Sequence, residues 1–111
     1  MHKNGIYHRD LKPQNILVMS EDPLHVCIAD LGFAVQSTSN AHLYEKCGTP
    51  NYFDPELLKG GKFTDKSDVF SLGSIFYTIV TGKTLYSGRT LEEVIQNNKD
   101  SNPELLSHEG F

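Results

Sequence analysis

The sequence predicts one α+β domain, mainly helical, and three features carry that prediction. Two short β-rich runs meet at a turn, a long polar segment follows, and an apolar stretch ending in glycine reads as a buried central helix. A length of 111 residues suits one domain and leaves no room for two.

The β-rich runs are Ile16–Met19 and Val26–Ala29, separated by the turn-like Ser20, Glu21, Asp22 and Pro23, and they read as one hairpin. Residues 35–51, "VQSTSNAHLYEKCGTPN", are polar and aperiodic and predict a long loop, of the kind that is functional or disordered. "DKSDVFSLGSIFYTIVTG" predicts a helix over 66–81 stopped by Gly82. Val69, Phe70, Leu72, Ile75, Phe76, Ile79 and Val80 lie around most of its circumference, the pattern of a helix buried on all sides. A second helix is expected from Thr90, where Thr90-Leu91-Glu92-Glu93 fits a capping box, to about Asn98. Ser107 is placed to cap a third.

Composition excludes several classes. Hydrophobic residues at 38% and charged residues at 22% describe a globular chain, not a disordered one. A net charge of −4 lacks the basic face that nucleic acid requires. No stretch reaches the roughly 20 apolar residues of a membrane span, and "MHKNGIYHRD" has no signal-peptide core. Neither nucleic acid nor membrane is therefore expected as a partner. Cys27 and Cys47 have no disulfide or metal-ligand spacing; Cys27, in an apolar run, reads as a packed, reduced thiol, and a cytoplasmic setting is the default.

The densest chemistry lies in "GIYHRDLKPQNIL", residues 5–17. Pro13 lacks an N–H and pushes Lys12 out of the helical region, so polar residues sit on a loop between apolar flanks. Asp10 can accept a proton, Asn15 offers a neutral oxygen suited to Mg²⁺, and Lys12 is a point charge suited to phosphate. A hairpin of this size returns Asp30, in "DLG" beside the permissive Gly32, to the neighbourhood of Asn15. A base, a cation and two oxygen ligands in one place suit phosphoryl transfer.

His8-Arg9-Asp10-Leu11 with Asn15 matches the catalytic-loop pattern H-R-D-L-x-x-x-N, and on it the chain resembles a eukaryotic protein kinase. Asp30-Leu31-Gly32 is similar to the family's D-F-G, with Leu for Phe. "CGTPNYFDPE", 47–56, resembles the substrate-docking loop ending in A-P-E, with Asp54 for Ala. "SDVFSLG", 67–73, resembles the start of the central helix, with Phe70 for Trp. Four motifs in the family's order are a specific signal where a lone His-Arg-Asp is not. Lys12 and Gly48-Thr49 resemble the serine/threonine branch.

The resemblance implies a role for each matching residue. Asp10 orients the attacking hydroxyl, Lys12 steadies the γ-phosphate of ATP, and Asn15 and Asp30 hold Mg²⁺. Thr49 bonds to Asp10 and Lys12, and Asp68 anchors the backbone of the catalytic loop. His8 is a packed histidine rather than a catalyst, and Leu31 keeps an apolar plug behind the metal. Glu56 should pair with an Arg of a late helix that these residues do not include. Glu45, two residues before Cys47, stands where relatives carry an activating phosphothreonine, and Arg9 is the residue that would hold it.

No Gly-rich loop or V-A-I-K strand occurs in the sequence. Residues 1–111 are thus expected to be a large-lobe fragment of a kinase domain, with a small lobe and a protein bearing a Ser or Thr hydroxyl as partners. A non-catalytic, kinase-derived binding module or a truncated gene product is the alternative.

Overall fold

The β-rich runs form the expected hairpin, longer at its turn than the sequence indicates. The structure, a computed structural model, describes residues 1–100. Strand β1 is Ile6–Tyr7, β2 is Ile16–Glu21, β3 is Leu24–Ile28 and β4 is Val35–Gln36. Antiparallel β2 and β3 pair Ile16 with Ile28, Leu17 with Cys27 and Val18 with Val26, then shift register past Met19 to pair Glu21 with Leu24. Only Asp22 and Pro23 remain as the turn, because Ser20 and Glu21 continue the ladder. The ribbon is exposed on both faces, Val18, Met19, Leu24 and Val26 included. Cys27 is accordingly exposed and not packed, since a two-stranded ribbon covers nothing by itself.

The polar segment 35–51 is not a structureless loop. Its first residues, β4, pair antiparallel with β1, matching Ile6 with Gln36 and Tyr7 with Val35, so a second small sheet accompanies the hairpin. Helix α1, Asn40–Leu43, follows and buries Leu43. Leu43 then joins Phe53, Leu57 and Phe63 in one core cluster, edged by Tyr7 and Val35. One buried leucine and a short ladder order the segment, and neither is visible as a periodicity.

Helix α2 is Pro55–Leu58, capped by Asp54, whose carboxylate accepts from the Glu56 N–H. The same carboxylate accepts from Ser67 Oγ at 3.0 Å, tying α2 to the start of the long helix. The substitution of Asp for Ala at 54 therefore has a structural account.

Helix α3 is Asp65–Thr81. Thr64 and Ser67 form a reciprocal capping box, and Gly82 ends the helix at φ 72°. Its buried face differs from the expected one. Ser67, Asp68, Ser71, Ser74 and Ile75 are buried, whereas Val69, Leu72, Phe76, Ile79 and Val80 are exposed among the described residues. The small side chains let loop backbones approach closely and supply hydroxyls to bond them, so the polar stripe faces inward. Only Ile75 joins Leu11 and Tyr52 in the second core cluster, with Ile16 packed against it.

Helix α4, Leu91–Lys99, begins as expected with Thr90 Oγ1 accepting from Glu93 N–H. Glu93 does not return the bond to Thr90; its carboxylate accepts from the Arg89 N–H at 2.7 Å. Ser107 lies outside the described residues.

Candidate active site

The loop between β1 and β2 is built around buried polar groups, and each is held by a named bond. His8 is completely buried. Its Nδ1 accepts from the Asp10 N–H, which leaves Nε2–H to donate to Ala29 O at 2.9 Å. The ring is thus a neutral cross-brace between the loop and the end of β3. Asp68, reaching up from α3, accepts from the His8 N–H at 2.8 Å and the Arg9 N–H at 3.0 Å. Nε2–H of His2 donates to the same carboxylate at 2.8 Å.

Arg9 adopts φ 72°, a left-handed conformation that costs a non-glycine residue about 1–3 kcal/mol. Its bonds fix that geometry: Nε donates to Phe33 O at 2.6 Å, and Nη1 to His42 O at 2.8 Å. The turn aims Asp10 inward. The Thr49 hydroxyl donates to Asp10 Oδ1 at 3.0 Å, and Lys12 Nζ donates to Thr49 Oγ1 at 3.1 Å. Lys12 Nζ also lies 3.5 Å from Asp10 Oδ2. Carboxylate, hydroxyl and ammonium form one closed group from residues 39 apart in sequence. Gly48 makes this approach possible, because a Cβ there would sit 2.6 Å from Arg9 O, at φ 102°.

Asn15 is buried, and its amide nitrogen donates to Asp10 O at 2.7 Å, directing the amide oxygen away from that carbonyl. The Ala29 N–H donates to Asn15 O at 2.8 Å, so the hairpin delivers Asp30 beside Asn15. Asp30 is left-handed at φ 58°, and its Oδ1 accepts from the Gly32 N–H at 3.1 Å. A Cβ at Gly32 would lie 3.1 Å from that oxygen, a tight contact that glycine avoids. The donor set is one neutral and one anionic hard oxygen, which fits Mg²⁺ sharing its remaining positions with water and phosphate.

Comparison with known proteins decides the family. Residues 1–109 match the protein kinase domain family. The chain belongs to the protein kinase family. Several of the relatives it resembles are named as serine/threonine-protein kinases. It is 38% identical over 98 residues to the serine/threonine-protein kinase ATG1b of Arabidopsis thaliana, covering 87% of this chain and 14% of that protein. It is 35% identical over 111 residues to the serine/threonine-protein kinase AtPK1/AtPK6 of the same plant, covering 98% of this chain and 23% of that one. Ribosomal protein S6 kinase 2 alpha of Xenopus laevis is 41% identical over 101 residues, covering 86% of this chain and 14% of that protein. The chain thus spans less than a quarter of the length of these kinases.

Leu31 departs from the expectation, and Glu45 has a partner besides Arg9. Leu31 is 62% exposed among the described residues, so it plugs nothing here. Glu45 lies 3.6 Å from Arg9 Nη1, but its nearer partner is His42, whose Nδ1 donates to it at 2.5 Å. Arg9 gives its hydrogen bonds to the Phe33 and His42 carbonyls and keeps Glu45 as an ion-pair partner. The His42 hydrogen bond, the largest cause, holds the Glu45 carboxyl below its ordinary value of 4.5; burial opposes it, and the charges of His42 and Arg9 add to the lowering. Glu56 is exposed on α2 and has no ion pair among the described residues. Cys47, beside the site, has its thiol pushed up from 9.0, chiefly by burial, with Arg9 opposing.

Four residues of the site escaped the sequence reading: His2, Ser71, Ser74 and Asn98. His2 carried no signal at all. The serines sit three and four residues apart along the stripe begun by Ser67, and Asn98 sits four after Val94, on the face that α4 buries. Polar residues at helical spacing on a buried face were the available clue.

Proposed function

We propose that residues 1–111 form part of the large lobe of a serine/threonine protein kinase, which transfers the γ-phosphoryl group of ATP to a protein Ser or Thr hydroxyl. The observation that carries this reading is the Asp10–Thr49–Lys12 group, with bonds of 3.0 and 3.1 Å, on a loop anchored by Asp68. The substrate hydroxyl oxygen bonds to the γ-phosphorus, the bond from that phosphorus to the β–γ bridging oxygen breaks, and ADP leaves. Asp10 orients the hydroxyl and takes its proton. Lys12 balances charge on the γ-phosphate, and Thr49 fixes both side chains relative to each other. Asn15 and Asp30 would hold Mg²⁺, which when bound neutralises phosphate charge.

A small lobe, supplied from outside these residues, would cover the nucleotide. Among the described residues no helix is long and apolar enough to cross a membrane. The cytosol, where ATP and free thiols such as Cys27 and Cys47 persist, is the compartment we assign.

In the full-length protein, Asp10→Asn should lower peptide phosphorylation by about 10²–10⁴-fold while nucleotide affinity is unchanged. Asp30→Asn should weaken Mg·ATP binding as well, read by calorimetry. Equal turnover by the Asp10→Asn variant and the wild type would remove the kinase reading.

A further inference from the structure

Beyond Thr49 the chain makes a tight turn in which each of four successive carbonyls accepts from a buried side chain. Pro50 O accepts from Asn98 Nδ2 at 2.8 Å, and Phe53 O accepts from the same nitrogen at 2.8 Å. Between them Asn51 O accepts from Ser74 Oγ at 3.4 Å, and Tyr52 O from Ser71 Oγ at 2.8 Å. Two helices grip one turn, α3 through its serines and α4 through Asn98.

Asn98 is the unusual member. It is completely buried and spends both amide hydrogens on the two ends of the turn. Its Oδ1 is buried without a hydrogen-bond partner among the described residues. Such an atom carries the cost of its lost hydration with nothing in return, and a leucine of similar volume would avoid it. Filling the core therefore does not account for an asparagine here; the two donated bonds do. Helix α4 is itself held in place, since Asn97 Nδ2 donates to Ser87 O at 2.6 Å and Asn51 Nδ2 to Tyr86 O at 3.0 Å. A Cβ at Gly88 would come within 2.7 Å of Glu93 Cβ, so the segment before α4 lies directly on its first turn.

The gripped turn begins at Thr49. Thr49 O accepts from the Tyr52 N–H at 2.9 Å, so the position of the turn sets that of the threonine. Its hydroxyl must reach Asp10 and Lys12 together, and a displacement near 1 Å would break one of the two bonds.

We propose that Asn98 is a positioning residue for phosphoryl transfer: it fixes Pro50–Phe53 from α4 so that the Thr49 hydroxyl stays between Asp10 and Lys12. The proposal rests on the kinase reading above. Asn98 touches neither the substrate nor the reacting atoms, and acts through Thr49.

The test is a double-mutant cycle in the full-length protein, with Asn98→Leu, Thr49→Val and both together, alongside amide hydrogen exchange at Tyr52 and Phe53. Asn98→Leu should lower kcat for a peptide by about tenfold to a hundredfold, with the KM for ATP unchanged. In the Thr49→Val background the same change should alter kcat by less than about twofold, because its route to the site is already gone. Losses that simply multiply overturn the proposal. Exchange at Tyr52 and Phe53 should quicken in Asn98→Leu whether or not the protein phosphorylates anything, and unaltered protection overturns it. An inactive wild type with quickened exchange in the variant refutes the kinase reading and leaves the clamp standing as a structural feature only. If Asn98→Leu does not fold, Asn98→Ser, which keeps one donor, enters the same cycle with the same criteria.

Discussion

Asp68 shows how one side chain can determine a loop. Its two oxygens accept from two backbone N–H groups and from His2, at 2.8–3.0 Å, while the carboxylate is 1% exposed. Hydrogen bonds to a charged group contribute about 1.5–3 kcal/mol each. Asp68→Asn turns one acceptor into a donor facing a donor, so in the full-length protein it should destabilise by about 2–4 kcal/mol, read by urea melts. The titration of Glu45 is the second residue-scale expectation. Its folded pKa lies below 4.5, so the stability its contacts provide is present above that value and is lost as pH falls through the depressed one. Carboxyl NMR should place its midpoint below 4.5, and His42→Gln should return it towards 4.5 by more than Arg9→Ala does, because His42 is the larger cause. A larger response to Arg9→Ala would make the arginine its controlling partner, as the resemblance suggests. The residues of "HRDLKPQN" were legible because their polarity violates the apolar frame around them. Asn98 was not, since a lone polar residue on a short helix reads as surface until its burial is known, and His2, which is exposed, gives no sign in the sequence of its bond to Asp68.

At the scale of elements, ends were easier to read than faces. The stop of α3 was visible in Gly82, and the helix, Asp65–Thr81, lies within one residue of the expected 66–81. Cap chemistry is local and needs no knowledge of neighbours. Thr64→Ala should cost about 1 kcal/mol in the full-length protein, seen as a lower melting temperature with unchanged active-site geometry. The inward face was misread because apolar residues were assumed to point inward, whereas the space beneath α3 holds loop backbone. Ser71 and Ser74 bond that backbone, as leucine could not. The segment 35–51 was misread for a related reason. A two-residue pairing with β1 and one buried leucine leave no repeating pattern to detect.

The whole molecule follows from that inversion. The described residues have a radius of gyration of 14.6 Å, against about 13 Å for a compact domain of 100 residues. Their shortest dimension is 23 Å, and a helix with its side chains is about 10–12 Å across. Two layers can therefore cover each other on one side only. The outer face of α3 presents Leu72, Phe76, Ile79 and Val80, and the hairpin adds Met19 and Leu24, all exposed. Apolar surface gathered in this way favours association when nothing covers it. Expressed alone, the 111 residues should bind a hydrophobic dye, associate in solution and show no phosphoryl transfer. Phe76→Lys with Ile79→Lys should lower both dye binding and association in that isolated chain, because the two side chains have no packing to lose. In the full-length protein the same pair should instead destabilise by several kcal/mol, through charges forced into a covered face. Equal stability of the full-length protein with and without the lysines would mean that α3 keeps this face in water there, and the central-helix role implied by the large-lobe reading would fall.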